Sequence, residues 1–148
     1  MWKSHVSTWP KLISILDMIG NYEKHLAITS CKLGEDHEDV ANVLMTVGES
    51  YRDTGYIERA SYFMNRAVHS CISAFGQIHE SLSFLYHELG QLALTANDHD
   101  RAIVFFEAGL DVELKLEGPD KDNRIAVSLA LLGDASILIG KRSTALAY

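Results

Sequence analysis

The sequence predicts an all-α fold, a right-handed α-α superhelix of about three helix-turn-helix repeats with flanking helices. Gly34, Gly76 and Gly118 are spaced by 42 residues each. The chain has only two prolines, and its long proline-free stretches between glycines favour helices. Apolar residues recur within those stretches at helical intervals. Because one helix pair cannot bury its own apolar face, the repeats are expected to stack on one another.

The repeat is supported by further landmarks. The first two copies share pairs that are also 42 residues apart: His37 and His79, Gly48 and Gly90, Ala60 and Ala102. The third copy has one extra residue in its turn, where GEDHEDVA becomes GPDKDNRIA. Gly133 and Ala145 therefore follow their counterparts by 43 residues. A turn is where a helical repeat tolerates an insertion.

Seven helices are predicted in order. The first ends at Gly34, and Asp36 or Asp39 can cap the second, which Gly55 ends. The third runs from Ile57 to Phe75. The remaining helices are predicted over residues 82–95, 99–117 and 123–139, followed by a last helix that is clipped at residue 148.

These helices form one predicted domain, 1–148. Residues 1–10 are expected to be irregular or a partial helix, so that Trp2 and Trp9 belong either to a broken preceding helix or to a flexible end. Residues 11–33 are interpreted as the second helix of a preceding repeat. The repeats themselves are assigned to residues 34–75, 76–117 and 118–148, the last one clipped.

Composition excludes several classes of function. The net charge of −7 argues against nucleic acid, which requires a basic face. No run approaches the ~20 apolar residues of a membrane span, and the N-terminus lacks a signal-peptide core. We therefore expect a cytoplasmic protein with no membrane insertion. Cys31 and Cys71 are expected to be reduced and buried on second helices.

No motif indicates catalysis. The turn Asp36-His37-Glu38-Asp39 could bind a metal, but the recurrence of its histidine as His79 favours a helix cap, since zinc needs about four converging ligands. HELGQ lacks the second histidine of a zinc protease, and DKDN lacks the glycine and glutamate of a calcium loop. We therefore expect no enzymatic activity, no cofactor and no metal.

The residues Gly48-x-x-Tyr51, Gly55, Ala60 and Ala67 resemble the tetratricopeptide repeat. The 42-residue period and the stretches LGEDHEDVA, SYRDTGYIERA and YEKHLAI are similar to the kinesin light chain subtype. The resemblance covers about residues 12–148 and implies a protein-binding solenoid. In kinesin light chains a Leu-Asn-Asn step helps to bind cargo. The matching positions here are Met45-Thr46, His87-Glu88 and Ala130-Leu131, so the asparagine ladder is absent.

The resemblance implies that the first helices line a concave binding face, and helical spacing selects its residues. The groove is predicted to change from charged to apolar along the chain. In chain order its residues are Asn42, Met45, Glu49, Arg52 and Asp53; Phe84, His87, Gln91, Leu94 and Thr95; Val127, Ala130, Asp134, Ile137 and Leu138.

The predicted function is a non-enzymatic scaffold that binds a peptide or protein segment in this groove. One alternative is a structural module that self-associates through its repeat ends, including the exposed C-terminal face; another is a regulatory segment of a larger protein. Two local alternatives stay open: Phe84 faces the interior, and the apolar residues of the third repeat pack against a further repeat.

Overall fold

The computed structural model describes residues 9–147, with side chains described for residues 11 and 13–141. Over this range the chain forms helices joined by short turns, without a β-strand. The all-α prediction is therefore confirmed. The helices are α1 (Trp9–Leu33), α2 (Glu38–Asp53), α3 (Ile57–Phe75), α4 (Glu80–Thr95), α5 (His99–Lys115) and α6 (Lys121–Ala147).

The chain divides into two compact units, Met1–Ser70 and Cys71–Tyr148, with the boundary inside α3. The first unit contains α1, α2 and most of α3. The second contains the end of α3 together with α4, α5 and α6. Trp9 is the first residue of α1, while Trp2 lies outside the described residues.

The turns before α2 and α4 end in histidine caps. The Nδ1 atom of His37 accepts a hydrogen bond from the backbone N–H of Asp39 at 3.1 Å. His79 accepts one from the backbone N–H of Ser81 at 3.2 Å. The predicted role of this turn as a cap is confirmed, but the capping residue is His37 and neither Asp36 nor Asp39. The imidazole supplies the acceptor that an N-cap needs while its ring stays outside the helix.

Glycines allow the two helices of a repeat to approach closely. In the first unit, a Cβ added at Gly48 would lie 2.7 Å from Cγ of Met64 on α3. In the second unit, a Cβ added at Gly90 would overlap the ring of Phe106 on α5. Phe106 is fully buried. The small residues that recur in the sequence thus mark the places where a large side chain crosses the neighbouring helix.

A buried apolar cluster in the second unit joins three helices. Its buried members come from α4, α5 and α6, so no pair of helices forms it alone. They are Ala93, Ala102, Phe106 and Ala135, with Leu94, Ile103, Phe105, Leu131 and Leu132 packed partly buried around them.

The predicted break in the third repeat is wrong. Gly55 and Asn97, which follow α2 and α4, have positive φ angles of 85° and 60°. Gly140 stands at the matching position, yet α6 continues through it to Ala147. A single glycine costs a helix only about 1 kcal/mol relative to alanine, and neither proline nor a capping residue directly follows Gly140. Six helices are therefore described instead of seven.

Helix α6 is apolar but largely exposed. Within Lys121–Lys141 the mean hydropathy reaches 1.4, and 11% of that window is buried. By length and composition alone this stretch could cross a membrane. It contains no long uninterrupted run of apolar residues, because polar residues such as Asp134 interrupt it. Core helices and signal sequences can meet the same criterion, so the absence of membrane insertion stays a prediction.

The two cysteines occupy different environments. Both are free; Cys71 is buried and Cys31 is exposed. The expectation of burial therefore holds for Cys71 and is wrong for Cys31. Burial raises the pKa of the Cys71 thiol, which keeps it protonated and unreactive.

Candidate protein-binding surface

The first unit carries one row of predicted binding residues along α2. Asn42 and Asp53 are exposed, and Met45, Glu49 and Arg52 are partly buried. The guanidinium of Arg52 donates to Oδ1 of its neighbour Asp53, from Nε at 3.1 Å and from Nη2 at 3.0 Å. This ion pair leaves the amide of Asn42 and the carboxylate of Glu49 as the polar groups of the row that it does not engage.

Residues of α1 border this row, although the sequence analysis did not select them. A groove of about 530 Å³ lies between α1 and α2 and includes Asn42. Ile28 and Leu33 line it and are 55% and 47% exposed. The predicted groove residues all lie on the first helices of the repeats, whereas α1 corresponds to a second helix. The exposed apolar residues at the end of α1 were the signal that could have revealed this side of the groove.

In the second unit, the predicted residues of α4 are exposed except for His87 and Leu94. Phe84 is 38% exposed, which excludes the alternative that it faces the interior. Gln91 and Thr95 are exposed, and Leu94 is partly buried against the core. The α4 face thus presents an aromatic ring followed, two turns later, by an amide.

The predicted residues of α6 are all exposed. Val127, Ile137 and Leu138 are 49%, 56% and 40% exposed, and Ala130 and Asp134 are exposed as well. Among the described residues, no further helix packs over them. The sequence left open whether these side chains bind a ligand or pack against a further repeat, and their exposure is compatible with both.

His87 takes part in a buried polar network that joins α4, α5 and α6. Its side chain is 17% exposed, and Nε2 lies 2.7 Å from Oγ of Ser128 and 3.6 Å from Oε1 of Glu113. The Glu113 carboxylate is 2% exposed and accepts hydrogen bonds from Oγ of Ser83 at 2.7 Å and from Oγ of Ser128. The imidazole therefore connects helices within the unit.

The hydrogen bonds define the direction of this network. Ser128 has one hydroxyl proton, which it donates to Glu113, so Nε2 of His87 must donate to Ser128. Burial lowers the pKa of His87, and the nearby Glu113 carboxylate offsets part of that effect. A neutral imidazole with its proton on Nε2 is consistent with both the lowered pKa and the donation to Ser128.

The network differs from a hydrolase triad. Ser128 is fully buried, and Glu113 accepts from hydroxyl groups, whereas in a triad the acid accepts from Nδ1 of the histidine. His87 donates to the serine, whereas a general base would accept its proton. The arrangement therefore binds helices together and has no exposed nucleophile.

Gly109 makes room for the imidazole. A Cβ at this position would lie 3.0 Å from both Cδ2 and Nε2 of His87. The corresponding residue of the first repeat is Ala67. The glycine in α5 and the histidine in α4 are thus matched features of the second repeat.

Two further pockets lie away from the predicted groove. In the second unit, apolar residues including Phe75, Leu82 and Tyr86 line a cavity of about 640 Å³. In the first unit, Glu23, Tyr51 and Arg59 line a pocket of about 310 Å³. There Tyr51 donates to Glu23, and Nη1 of Arg59 donates to Oη of Tyr51 at 3.1 Å. Nowhere in residues 13–141 do three His, Cys, Asp or Glu side chains come together as potential metal ligands.

Comparison with known proteins supports the fold. No protein-family model matches the chain. Over 105 residues, or 71% of this chain, it is 25% identical to the Clustered mitochondria protein homolog of Candida albicans. The matched region is 8% of that protein, so the chain corresponds to a small part of the relative.

A solved structure resembles most of the chain. It is the crystal structure of BtubC (BKLC) from P. vanneervenii, with a TM-score of 0.77 and 22% sequence identity. The likeness covers 90% of this chain and 53% of that one. Together with the helix pairs and glycine contacts described above, it shows a helical-repeat fold of the α-solenoid class.

Proposed function

We propose that the chain is a non-enzymatic scaffold of the tetratricopeptide type, which binds a peptide or protein segment on the exposed faces of its first helices. The observation that carries this proposal is the pair Phe84 and Val127. They occupy matching positions of α4 and α6 and remain 38% and 49% exposed. Exposed apolar side chains with polar neighbours are typical of peptide-binding surfaces.

Packing within the repeats supports the tetratricopeptide assignment. Met64 packs on Gly48, Phe106 packs on Gly90, and both Ala60 and Ala102 are fully buried. The 42-residue period and the quoted stretches support a kinesin light chain-like subtype. Because the cargo-binding asparagines are replaced, the ligand chemistry proposed here differs from that of kinesin light chains.

The exposed groups favour an extended peptide with an apolar anchor. Phe84 offers an aromatic ring, and the amide of Gln91 can donate to and accept from a peptide backbone. The chain carries a net charge of −7, which favours a neutral or basic partner. We further propose that the partner is a protein in the cytoplasm and that binding involves neither nucleic acid nor membrane insertion; the acidic charge of the chain supports the exclusion of nucleic acid.

Peptide selection tests this function. A phage-displayed peptide library is selected on the whole chain, and the affinities of recovered peptides are measured for the parent and for Phe84→Ala. Loss of the anchor is expected to weaken binding by about tenfold or more, a loss typical of central anchors. Tyr62→Ala, which truncates a 59% exposed aromatic residue on α3, is the matched control.

The proposal fails if no peptide is selected, or if Phe84→Ala binds every selected peptide as tightly as the parent does. Circular dichroism establishes first that both variants keep the helical content of the parent. Equal losses in Phe84→Ala and Tyr62→Ala would also contradict a binding face on α4.

A second candidate function is that of a structural module within a larger assembly. The exposed apolar side of α6 favours it, since 11% of the apolar Lys121–Lys141 window is buried. The chain also spans only 8% of the curated relative and 53% of the solved chain it resembles. The same partial coverage also agrees with the alternative that the chain is a regulatory segment of a larger protein.

A further inference from the structure

Equivalent glycines of the three repeats have different neighbours. Gly48 is covered by Met64, and Gly90 is covered by Phe106. At Gly133, the third equivalent, no atom of the described part of the chain lies within 4 Å of a Cβ position. The internal repeats thus show that this position is one on which a large apolar side chain packs.

Helix α6 continues past the position at which the first two repeats turn. After α2 and α4 the chain turns at Gly55 and Asn97, and the next helix folds back over the glycine. At Gly140 the helix instead continues to Ala147. In the part of the chain that the structure describes, the side of α6 around Gly133 is therefore open.

This outer face of α6 is symmetric about Gly133. Leu129 and Ile137, four residues before and after it, are 54% and 56% exposed. At about 100° per residue, the residues three, four and seven positions away all lie within about 60° of Gly133 around the helix. The smaller members of the face, all exposed, are Ala130 and Ser136 at three positions and Ala126 and Gly140 at seven.

Such a pattern is complementary to itself. In an antiparallel pair of helices with a two-fold axis at Gly133, a residue before Gly133 meets the residue at the same distance after it on the second copy. Leu129 then packs beside Ile137 of the second copy. The small residues meet small residues, which lets the helix axes approach closely.

The charges fit the same arrangement. Residues 125–140 contain one charged side chain, Asp134, which lies about 100° from Gly133 at the edge of the face. At each end of the contact, Lys141 comes within about one helical turn of Asp122 of the second copy. The face is thus nearly uncharged in a chain of net charge −7, with opposite charges at its ends.

The size of the face indicates a weak interaction. Sixteen helical residues span about 24 Å. A contact of one helix pair falls in the class of small, reversible interfaces, below about 1,200 Å² in total. Repulsion between two acidic chains weakens it further.

We propose that α6 is a self-association helix, and that a second copy of this chain covers its outer face by antiparallel packing across Gly133. The interaction uses Leu129, Gly133 and Ile137. It shares Ile137 of α6 with the predicted groove, whereas the test of peptide binding uses Phe84 on α4. Each of the two proposals therefore stands or fails by its own measurement.

Sedimentation velocity across a concentration series tests the proposal. The parent is expected to show a concentration-dependent monomer–dimer equilibrium, which Leu129→Glu weakens by about tenfold or more because a carboxylate is buried against its neighbour. Leu114→Glu on α5 is the matched control, since Leu114 is 52% exposed and Leu129 is 54% exposed. A parent that stays monomeric, or a dimer that survives Leu129→Glu, overturns the proposal.

Crosslinking tests the orientation. In a Cys31→Ser background, Ala130→Cys and Ser136→Cys chains are mixed and treated with a short bismaleimide. The antiparallel arrangement predicts that the mixed pair links more than either variant alone, because residue 130 faces residue 136 of the second copy. Preferential linking of like with like overturns the antiparallel arrangement.

A membrane is the competing occupant of the same face. Flotation of the parent with anionic and zwitterionic vesicles distinguishes it, since a self-association helix is expected to leave the chain in the vesicle-free fraction. Vesicle binding that Leu129→Glu abolishes, with no dimer in solution, would assign the face to a lipid surface and overturn the proposal.

Discussion

Helices α4 and α6 occupy the same place in consecutive repeats but are buried to different degrees. In α4, Leu82, Leu85, Leu89 and Leu92 are all at most 2% exposed. Among the side chains of α6 that the structure describes, Ser128 and Ala135 are buried, while Leu129 is 54% exposed. The difference lies in the neighbours, because α5 covers Gly90 of α4 and the described residues leave Gly133 of α6 open. Burial in a helical repeat thus depends on what packs beside a helix as much as on its own hydropathy.

The largest expected difference concerns side chains of similar apolar character. Phe106→Ala removes a fully buried ring from the core between α4, α5 and α6 and is expected to cost about 3–5 kcal/mol of unfolding free energy. Ile137→Ala, at a 56% exposed position of α6, is expected to change it by about 0.5 kcal/mol or less.

Urea unfolding followed by circular dichroism measures both variants at low protein concentration, where the chain is monomeric. Similar losses in the two variants would show that the outer face of α6 is packed within the monomer, and would remove the contrast with α4.

The same substitution at two glycines is expected to have effects of opposite sign. Gly90→Ala places a methyl group into the ring of Phe106 and is expected to destabilise the fold by about 1–3 kcal/mol. Gly133→Ala meets no described neighbour and raises helix propensity, so it is expected to stabilise by up to about 1 kcal/mol.

Thermal and urea unfolding of the two alanine variants test this sign. A stabilising Gly90→Ala would mean that Phe106 moves aside easily. A destabilising Gly133→Ala would mean that a large side chain already covers the glycine.

The smallest expected effect is a pH dependence from the network that joins α4 to α6. Burial lowers the pKa of His87 in the folded state relative to the unfolded chain. The unfolded state therefore binds more protons between the two pKa values, and stability is lost as the pH falls below the unfolded value of about 6.5. His87→Gln keeps a donor toward Ser128 but does not titrate, so its stability is expected to depend less on pH.

Urea unfolding at several pH values between 7 and 5 compares the parent with His87→Gln. The other histidines are identical in both chains, so the difference between the two profiles isolates His87. Parallel profiles would contradict the burial of this imidazole between α4 and α6.

The regular part of the fold was predictable because it depends on local patterns. Glycine and apolar spacing located α2 to α5, and the recurrence of His37 as His79 separated a cap from a metal site. Which atom caps the helix was not predictable, since aspartate and histidine both supply an acceptor. The continuation of α6 through Gly140 was missed because a turn in two repeats does not force one in the third.

The candidate surface was predictable only where helical phase decides exposure. The helical phase correctly predicted that Phe84, Gln91 and Val127 are exposed. It also predicted an exposed His87, which is partly buried, because the phase of one helix carries no information on partners that are distant in the chain. Ser128 is 41 residues from His87, and only the packing of three helices brings it and Glu113 to the imidazole.

The buried network also limits how the repeats can be rearranged. One period earlier, the counterparts of Ser83, His87, Glu113 and Ser128 are Ala41, Met45, Cys71 and Leu85, none of which is charged. Where Ser128 donates its hydroxyl proton to Glu113, a chain with the second repeat duplicated would place Leu85, and one with the first two repeats exchanged would place Val43. The carboxylate would keep the hydrogen bond from Ser83 but lose the one from Ser128, and the loss of a hydrogen bond to a buried charge is destabilising. The order of the repeats is therefore fixed by their buried residues, and the repeats cannot be exchanged without loss of stability.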